Sequence, residues 1–173
     1  MFVKNSNNKI LKIIEDFSAR LPKFPDGRID YTNSKESAVL NIFVEYAGKY
    51  LFMKRSGKVI AYKGKWSTVV GFLDEARPIE EKVLEELREE AGIKENMIKF
   101  ISIGKIIRRE DNKIDRVWII CPVFVKMKKM PKIILDWEHT EFKWISKEEI
   151  KSLDTLPNLE KVLESVDARN SEI

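Results

Sequence analysis

Apolar side chains recur along the chain with two different periods, and the changes of period mark its elements. Over residues 8–21, Ile10, Leu11, Ile13, Ile14 and Phe17 fall at helical spacing, and Pro22 stops the run. Residues 22–31, with Pro25, Asp26 and Gly27, read as a turn-rich connector. The pattern then becomes β-branched and aromatic. Residues 37–46 predict a strand, 47–49 a turn and 50–56 the second arm of a hairpin. A strand over 66–72 leads into a loop, and 78–91 returns to the helical period, with Pro78 at its start and Gly92 just past its end. Beyond it, 97–107 read as strand, 108–113 as turn, 116–127 as a long strand and 142–146 as a short one. Ser146 is placed to cap a short helix with Glu148 and Glu149 in its first turn, and 157–166 predict a last helix. Strands interleaved with helices in this order imply an α/β fold, a mixed sheet flanked by helices.

The helix over 78–91 carries the most chemistry. Val83, Leu84, Leu87 and Ala91 share one broad apolar face that must pack on a core. Glu86, Glu89 and Glu90 stand at i, i+3 and i+4, so they are neighbours, and Glu90 projects into the edge of the apolar face beside Val83. A carboxylate is costly to bury there, and three crowded negative charges repel one another unless a cation or a basic side chain joins them. Hard divalent ions such as Mg2+ take oxygen ligands gathered on a rigid element. The competing reading is a solvated acidic face, which is what most acidic runs on helices are.

Composition narrows the classes. The chain has 173 residues, 43% of them hydrophobic, which suits one globular domain with a substantial core rather than disorder. Its formal net charge of +4 is too small a surplus to argue for a nucleic-acid binder. The lone Cys121 excludes an internal disulfide framework and suits a reducing compartment. No stretch reaches the length of a membrane span, and the N-terminus lacks a secretory h-region, so a cytoplasmic location without membrane contact is expected.

The stretch 71–93, GFLDEARPIEEKVLEELREEAGI, resembles the Nudix box, G-x5-E-x7-R-E-U-x-E-E-x-G-U with U aliphatic. Seven of the nine fixed positions match, namely Gly71, Glu86, Leu87, Glu89, Glu90, Gly92 and Ile93. The other two depart together: Arg77 stands where the family has Glu, and Glu85 where it has Arg. In the family that pair ties loop to helix, so the exchange predicts the same bridge with reversed polarity. The resemblance covers about 36–166. It implies a Nudix-type α/β/α sandwich over 36–173, with 1–35 as an added N-terminal helical arm of the same domain. That arm would cap the sheet, help shape the substrate site or mediate dimerisation.

The resemblance also implies a function, metal-dependent hydrolysis of the diphosphate linkage in a nucleoside diphosphate joined to a second moiety X. Glu86, Glu89 and Glu90 match the family's ligands for Mg2+ (or Mn2+), and Gly71 matches the glycine whose carbonyl often adds another. Glu89 also takes a catalytic assignment, because some members use a carboxylate of the box helix as base. In others the base lies in a late loop, and DWEHTEFKWIS resembles their E-H-x-E-aromatic-x-W pattern. That points to Glu138 first, His139 (the only histidine) second and Glu141 third. Arg55, Lys63 and Lys65 lie on the approach to the box and could meet phosphates, with Arg55 and Lys65 preferred. Trp137 is offered to stack on a base, whereas Trp66 and Cys121 read as core. The expected partner is a small nucleoside diphosphate derivative, and a homodimer is left open because many relatives dimerise. The alternative function is a non-catalytic Nudix-fold nucleotide-binding or sensor module. The Arg77/Glu85 exchange favours that alternative, and the intact Glu86/Glu89/Glu90 set favours the hydrolase.

Overall fold

A computed structural model describes residues 2–3 and 7–170. In chain order the elements are β1 (Phe2–Val3), α1 (Asn7–Arg20), β2 (Glu36–Tyr46), β3 (Lys49–Arg55), β4 (Trp66–Ser67), β5 (Val69–Phe72) and α2 (Ile79–Ala91). They continue with β6 (Ile98–Ile103), β7 (Ile107–Asp111), β8 (Arg116–Met127), β9 (His139–Ile145) and α3 (Leu159–Asn170). The strands form one mixed sheet in the order β1-β6-β8-β2-β3-β4, with β5 also on β2, β7 on β8 and β9 on β3. Its centre is the long parallel pair of β2 and β8, registered from Glu36↔Val117 to Glu45↔Lys126.

Both central strands are covered on both faces, which is why they read as nearly continuous apolar runs. Ala38, Leu40, Ile42 and Val44 of β2 join Ile10, Ile14 and Phe17 of α1 and Ile79, Val83, Leu87 and Ala91 of α2 in one cluster. Val39 and Phe43 face the other way, toward Leu159, Val162, Leu163 and Val166 of α3. The result is helices, sheet and helix in three layers, the α/β/α sandwich expected. The arm therefore caps the sheet, because α1 shares the main core with the box helix. Ile14 is fully buried. Ile14→Ala is expected to cost about 2–4 kcal/mol by leaving a cavity, read as a lower urea midpoint; a midpoint within error of wild type would show that α1 is dispensable.

Several boundaries differ from the sequence reading, each for a local reason. Residues 97–107 are not one strand, and 108–111 are not a turn. β6 pairs with β8 down to Ile103↔Val123, and β7 resumes at Ile107↔Ile120. Between them lies Pro122, which has no N–H for an antiparallel ladder; its carbonyl accepts the Gly104 N–H at 2.7 Å. Gly104 is required there, since a Cβ would lie 2.6 Å from Val166 and 2.8 Å from Pro122. The strand over 66–72 breaks at buried Thr68, whose hydroxyl donates to Asn41 Oδ1. Pro78 immediately precedes α2 rather than opening it, and Gly92 adopts the left-handed conformation (φ 69°) that ends the helix. The segment Glu148–Ser152 is a 3-10 turn in which Ser146 does not cap; its own N–H donates to Glu149 Oε2 at 2.7 Å. The last helix starts two residues later and runs further than expected. The late strand is longer than 142–146 and opens at His139, so that histidine is a buried strand residue and not a loop one. Among the described residues no helix is long and apolar enough to cross a membrane.

Candidate active site

The apolar stripe of α2 decides where its carboxylates go. Burying Val83, Leu87 and Ala91 carries Glu90 inward to 4% exposure, with Glu86 beside it at 8%. Glu90 Oε2 accepts the Val70 N–H of β5 at 3.4 Å. Glu86 lies against Gly71 of the same strand, where a Cβ would fall 2.2 Å from the Glu86 carboxyl carbon. Glu86 and Glu90 share a hydrogen bond, and burial together with the charges of Glu86 and Glu138 pushes the Glu90 carboxyl well above the usual carboxylate range. Glu89, by contrast, keeps 59% of its side chain exposed and has Arg88 as its nearest ionic neighbour at 3.7 Å. Among the described residues no three His, Cys, Asp or Glu side chains converge as a ready metal cage; of the proposed ligands, Glu86 and Glu90 are brought together and Glu89 stands on the outer flank.

Around the Glu86/Glu90 pair the basic side chains are sorted by position. Lys82, one turn earlier, reaches Glu86 Oε1 at 2.8 Å, Glu85 Oε2 at 3.1 Å and Asp74 Oδ1 at 3.8 Å. Its ammonium is held above the ordinary lysine value, since the attraction of Glu86 and its neighbours outweighs the burial that would lower it. Arg77 binds Glu85, and its Nε also meets Glu75 at 2.9 Å, so the exchanged pair forms the predicted bridge. Glu85 is thereby engaged away from Glu90, as its place on the helix suggests. Arg77 and Glu85 are each about a quarter exposed, at 26%. A double-mutant cycle with Arg77→Glu and Glu85→Arg is therefore expected to show about 1 kcal/mol of coupling. Additive effects would mean that no bridge exists. Full recovery in the double variant is not expected, since it sets a second glutamate beside Glu75 and an arginine beside Lys82.

The opposite wall comes from the pairing of β3 with β9. In their register Arg55 stands against His139. The Arg55 guanidinium donates to the Ala61 carbonyl at 3.1 Å and feels the carboxylates of Glu138, Glu90 and Asp136, while burial lowers its value. The His139 side chain is 1% exposed; its Nδ1 lies 3.0 Å from Asp136 Oδ1 and its Nε2 3.9 Å from Glu90 Oε2. Burial holds its imidazole below the ordinary histidine value. Glu138 precedes it on a turn, half-buried, and burial together with Asp136 raises its carboxyl. Arg55, Glu86, Glu90, Glu138 and His139 thus meet, from elements far apart in sequence. Lys65 does not join them; its ammonium binds Asp154 at 2.5 Å. Trp137 is on the same turn as Glu138 with 61% exposure, Glu141 pairs with Lys54 at 2.9 Å, and Trp66 is core. Cys121 is buried and its thiol is pushed up to about 12 by desolvation, which removes it as a nucleophile. A cleft of about 480 Å³ lined by Arg20, Lys35, Glu36 and Arg108 lies apart from this cluster. Within it Arg20 and Arg108 pair with Glu36, and Lys35 with Asp115. Lys82, Asp74 and Asp136 escaped the sequence reading. Lys82 was legible as the residue four before Glu86; Asp136 carried no signal beyond its nearness to His139.

A sheet between helix layers, with a carboxylate-bearing helix reached through strand and loop, defines the Nudix class of fold. The NUDIX domain profile matches residues 34–166, and the chain belongs to that family. A MutT protein from Methanosarcina mazei Go1 superposes with a TM-score of 0.63 at 22% identity, over 80% of this chain and 97% of that one. An Ap4A hydrolase from C. elegans, solved as a binary complex, gives 0.60 at 18% identity over 80% and 98%. The NUDIX domain of NrtR from Shewanella oneidensis, solved with ADP-ribose, gives 0.63 at 16% identity over 92% and 98%. At these identities the likeness is one of fold. No curated protein matches the chain in sequence.

Proposed function

We propose that the chain is a metal-dependent pyrophosphohydrolase that cleaves the diphosphate linkage of a nucleoside diphosphate joined to a moiety X. The observation that carries this reading is the burial of Glu90 against Glu86, with Glu138, His139 and Arg55 on the facing wall. Carboxylates crowded and desolvated in this way are an arrangement that structure alone would not favour, and they supply the hard oxygen donors that suit Mg2+ or Mn2+. Glu86, Glu89 and Glu90, with the Gly71 carbonyl, would hold the ion; Glu89 has the freedom at the surface to turn inward. When bound, such an ion neutralises diphosphate charge and makes a water more acidic. Glu138, half-buried with a raised carboxyl, serves as the base, and His139 is the second candidate. Arg55 supplies a guanidinium to the phosphates. Trp137 offers an exposed ring to a base, and Lys65 would have to leave Asp154 to take part.

The alternative of a non-catalytic sensor rested on the Arg77/Glu85 exchange, and those two side chains still pair. The test is a panel of ADP-ribose, NADH, diadenosine polyphosphates, NTPs and dNTPs with Mg2+ or Mn2+, products resolved by chromatography. ADP-ribose heads the panel because the NrtR NUDIX domain was solved with it. Cleavage of one class, abolished by EDTA and by Glu89→Gln, is expected. No cleavage of any compound, with metal and nucleotide still bound, would favour the sensor instead.

A further inference from the structure

Asp136 sits two residues before Glu138 and three before His139, and its Oδ1 serves both. It accepts the Glu138 backbone N–H at 3.1 Å and faces His139 Nδ1 at 3.0 Å. A carboxylate accepts hydrogen bonds and does not donate them, so the hydrogen in that contact must belong to Nδ1. A neutral ring with Nδ1 protonated has a bare lone pair on Nε2. That nitrogen is buried, has no hydrogen-bond partner among the described residues and points toward Glu90 Oε2 at 3.9 Å, too far for a direct bond. An unpartnered polar atom buried in a cluster of carboxylates is costly unless something is meant to reach it.

We propose that Asp136 is a positioning residue: it locks His139 in the Nδ1–H tautomer and thereby presents Nε2 as the acceptor that orients the attacking water beside Glu90. The same oxygen pins the turn that carries Glu138, so one carboxylate sets the aim of both late-strand candidates. The inference rests on the hydrolase reading for its water, but the tautomer stands or falls separately. Burial, which disfavours the imidazolium, agrees with a neutral ring. Orientation of a histidine through its second nitrogen is a general way of fixing tautomer and direction together.

Because the chain has a single histidine, its imidazole nitrogens can be read without assignment. The experiment is a two-bond 1H–15N correlation spectrum of the full-length protein labelled with 15N-histidine, for wild type, Asp136→Asn and Asp136→Ala. Steady-state kinetics are measured alongside on whichever panel compound the wild type cleaves. Wild type is expected to show Nδ1 protonated and Nε2 bare. The isosteric Asp136→Asn can present either its oxygen or its amide to the ring, so the second tautomer should become populated. In both variants kcat should fall by roughly 10- to 100-fold with KM within about twofold. Three results would overturn the proposal: a wild-type ring protonated on Nε2, a spectrum unchanged in Asp136→Ala, or an altered spectrum with kcat intact. If the wild type cleaves nothing, the hydrolase reading fails and with it the water-orienting role, while the spectrum still decides whether Asp136 sets the tautomer.

Discussion

Glu90→Gln is expected to abolish hydrolysis, by roughly 10²–10⁴-fold, while the protein melts at a higher temperature than wild type. Glu90 is buried beside Glu86 and near Glu138, and burial, then those charges, keep its carboxyl protonated well above the usual range. An amide of the same shape removes the charge that the site must otherwise desolvate. The pH dependence follows from the direction of the shift. Below the usual carboxylate range Glu90 is protonated in both folded and unfolded chains and contributes nothing. As pH rises above that range the unfolded chain gives up the proton while the folded protein retains it, so stability falls, and it stops falling once pH passes the raised folded value. Glu90→Gln lacks this contribution, so its advantage over wild type should open as pH rises through that window. Calorimetric melting of both proteins across it, in EDTA, checks the idea; a variant that melts lower than wild type throughout would mean that Glu90 is a net stabiliser. The trade of stability for a charged site is common in enzymes.

Gly71→Ala is expected to cost about 1–3 kcal/mol of stability through overpacking and most of the hydrolytic rate. The new methyl would lie 2.2 Å from Glu86 Cδ and 2.3 Å from its Oε1. β5 is held between β2 and the box helix, with Gly71 registered against Leu40, so the strand has little room to yield. Glu86 must therefore swing away, breaking its contact with Lys82 and its hydrogen bond to Glu90. Gly57→Ala is the matched control, because nothing lies within 4 Å of a Cβ there. Urea midpoints and Mn2+ titrations of the two variants would separate the outcomes. Equal behaviour of both would show that Glu86 has no fixed place against β5.

Much of this was legible in the residues because it is local. The apolar stripe Val83, Leu87, Ala91 fixes the angle of α2 about its own axis, and the angle alone carries Glu90 into the core. Gly92 marks the helix end, since it can take a positive φ without strain. The nearly continuous apolar, β-branched runs of β2 and β8 announce strands whatever they pair with. Even the Arg77–Glu85 bridge spans only loop and helix, and opposite charges at two positions exchanged together are enough to predict it.

The partners across the site were not legible. Arg55 meets His139 only because β9 docks on β3 and their register shifts between Lys54 and Arg55, and the paired residues are separated by most of the domain. The same docking buries His139 and leaves its Nε2 facing Glu90, a relation that no spacing in the chain encodes. Pro122 splits the neighbouring strand only once β8 has that strand for a partner. The sequence by itself therefore determined the family, the order of elements and the inward turn of Glu90 on the box helix, because backbone periodicity and side-chain polarity act within a few residues. The tertiary structure decided which groups face those carboxylates, because strand register and the closing of long loops depend on packing summed over the whole core.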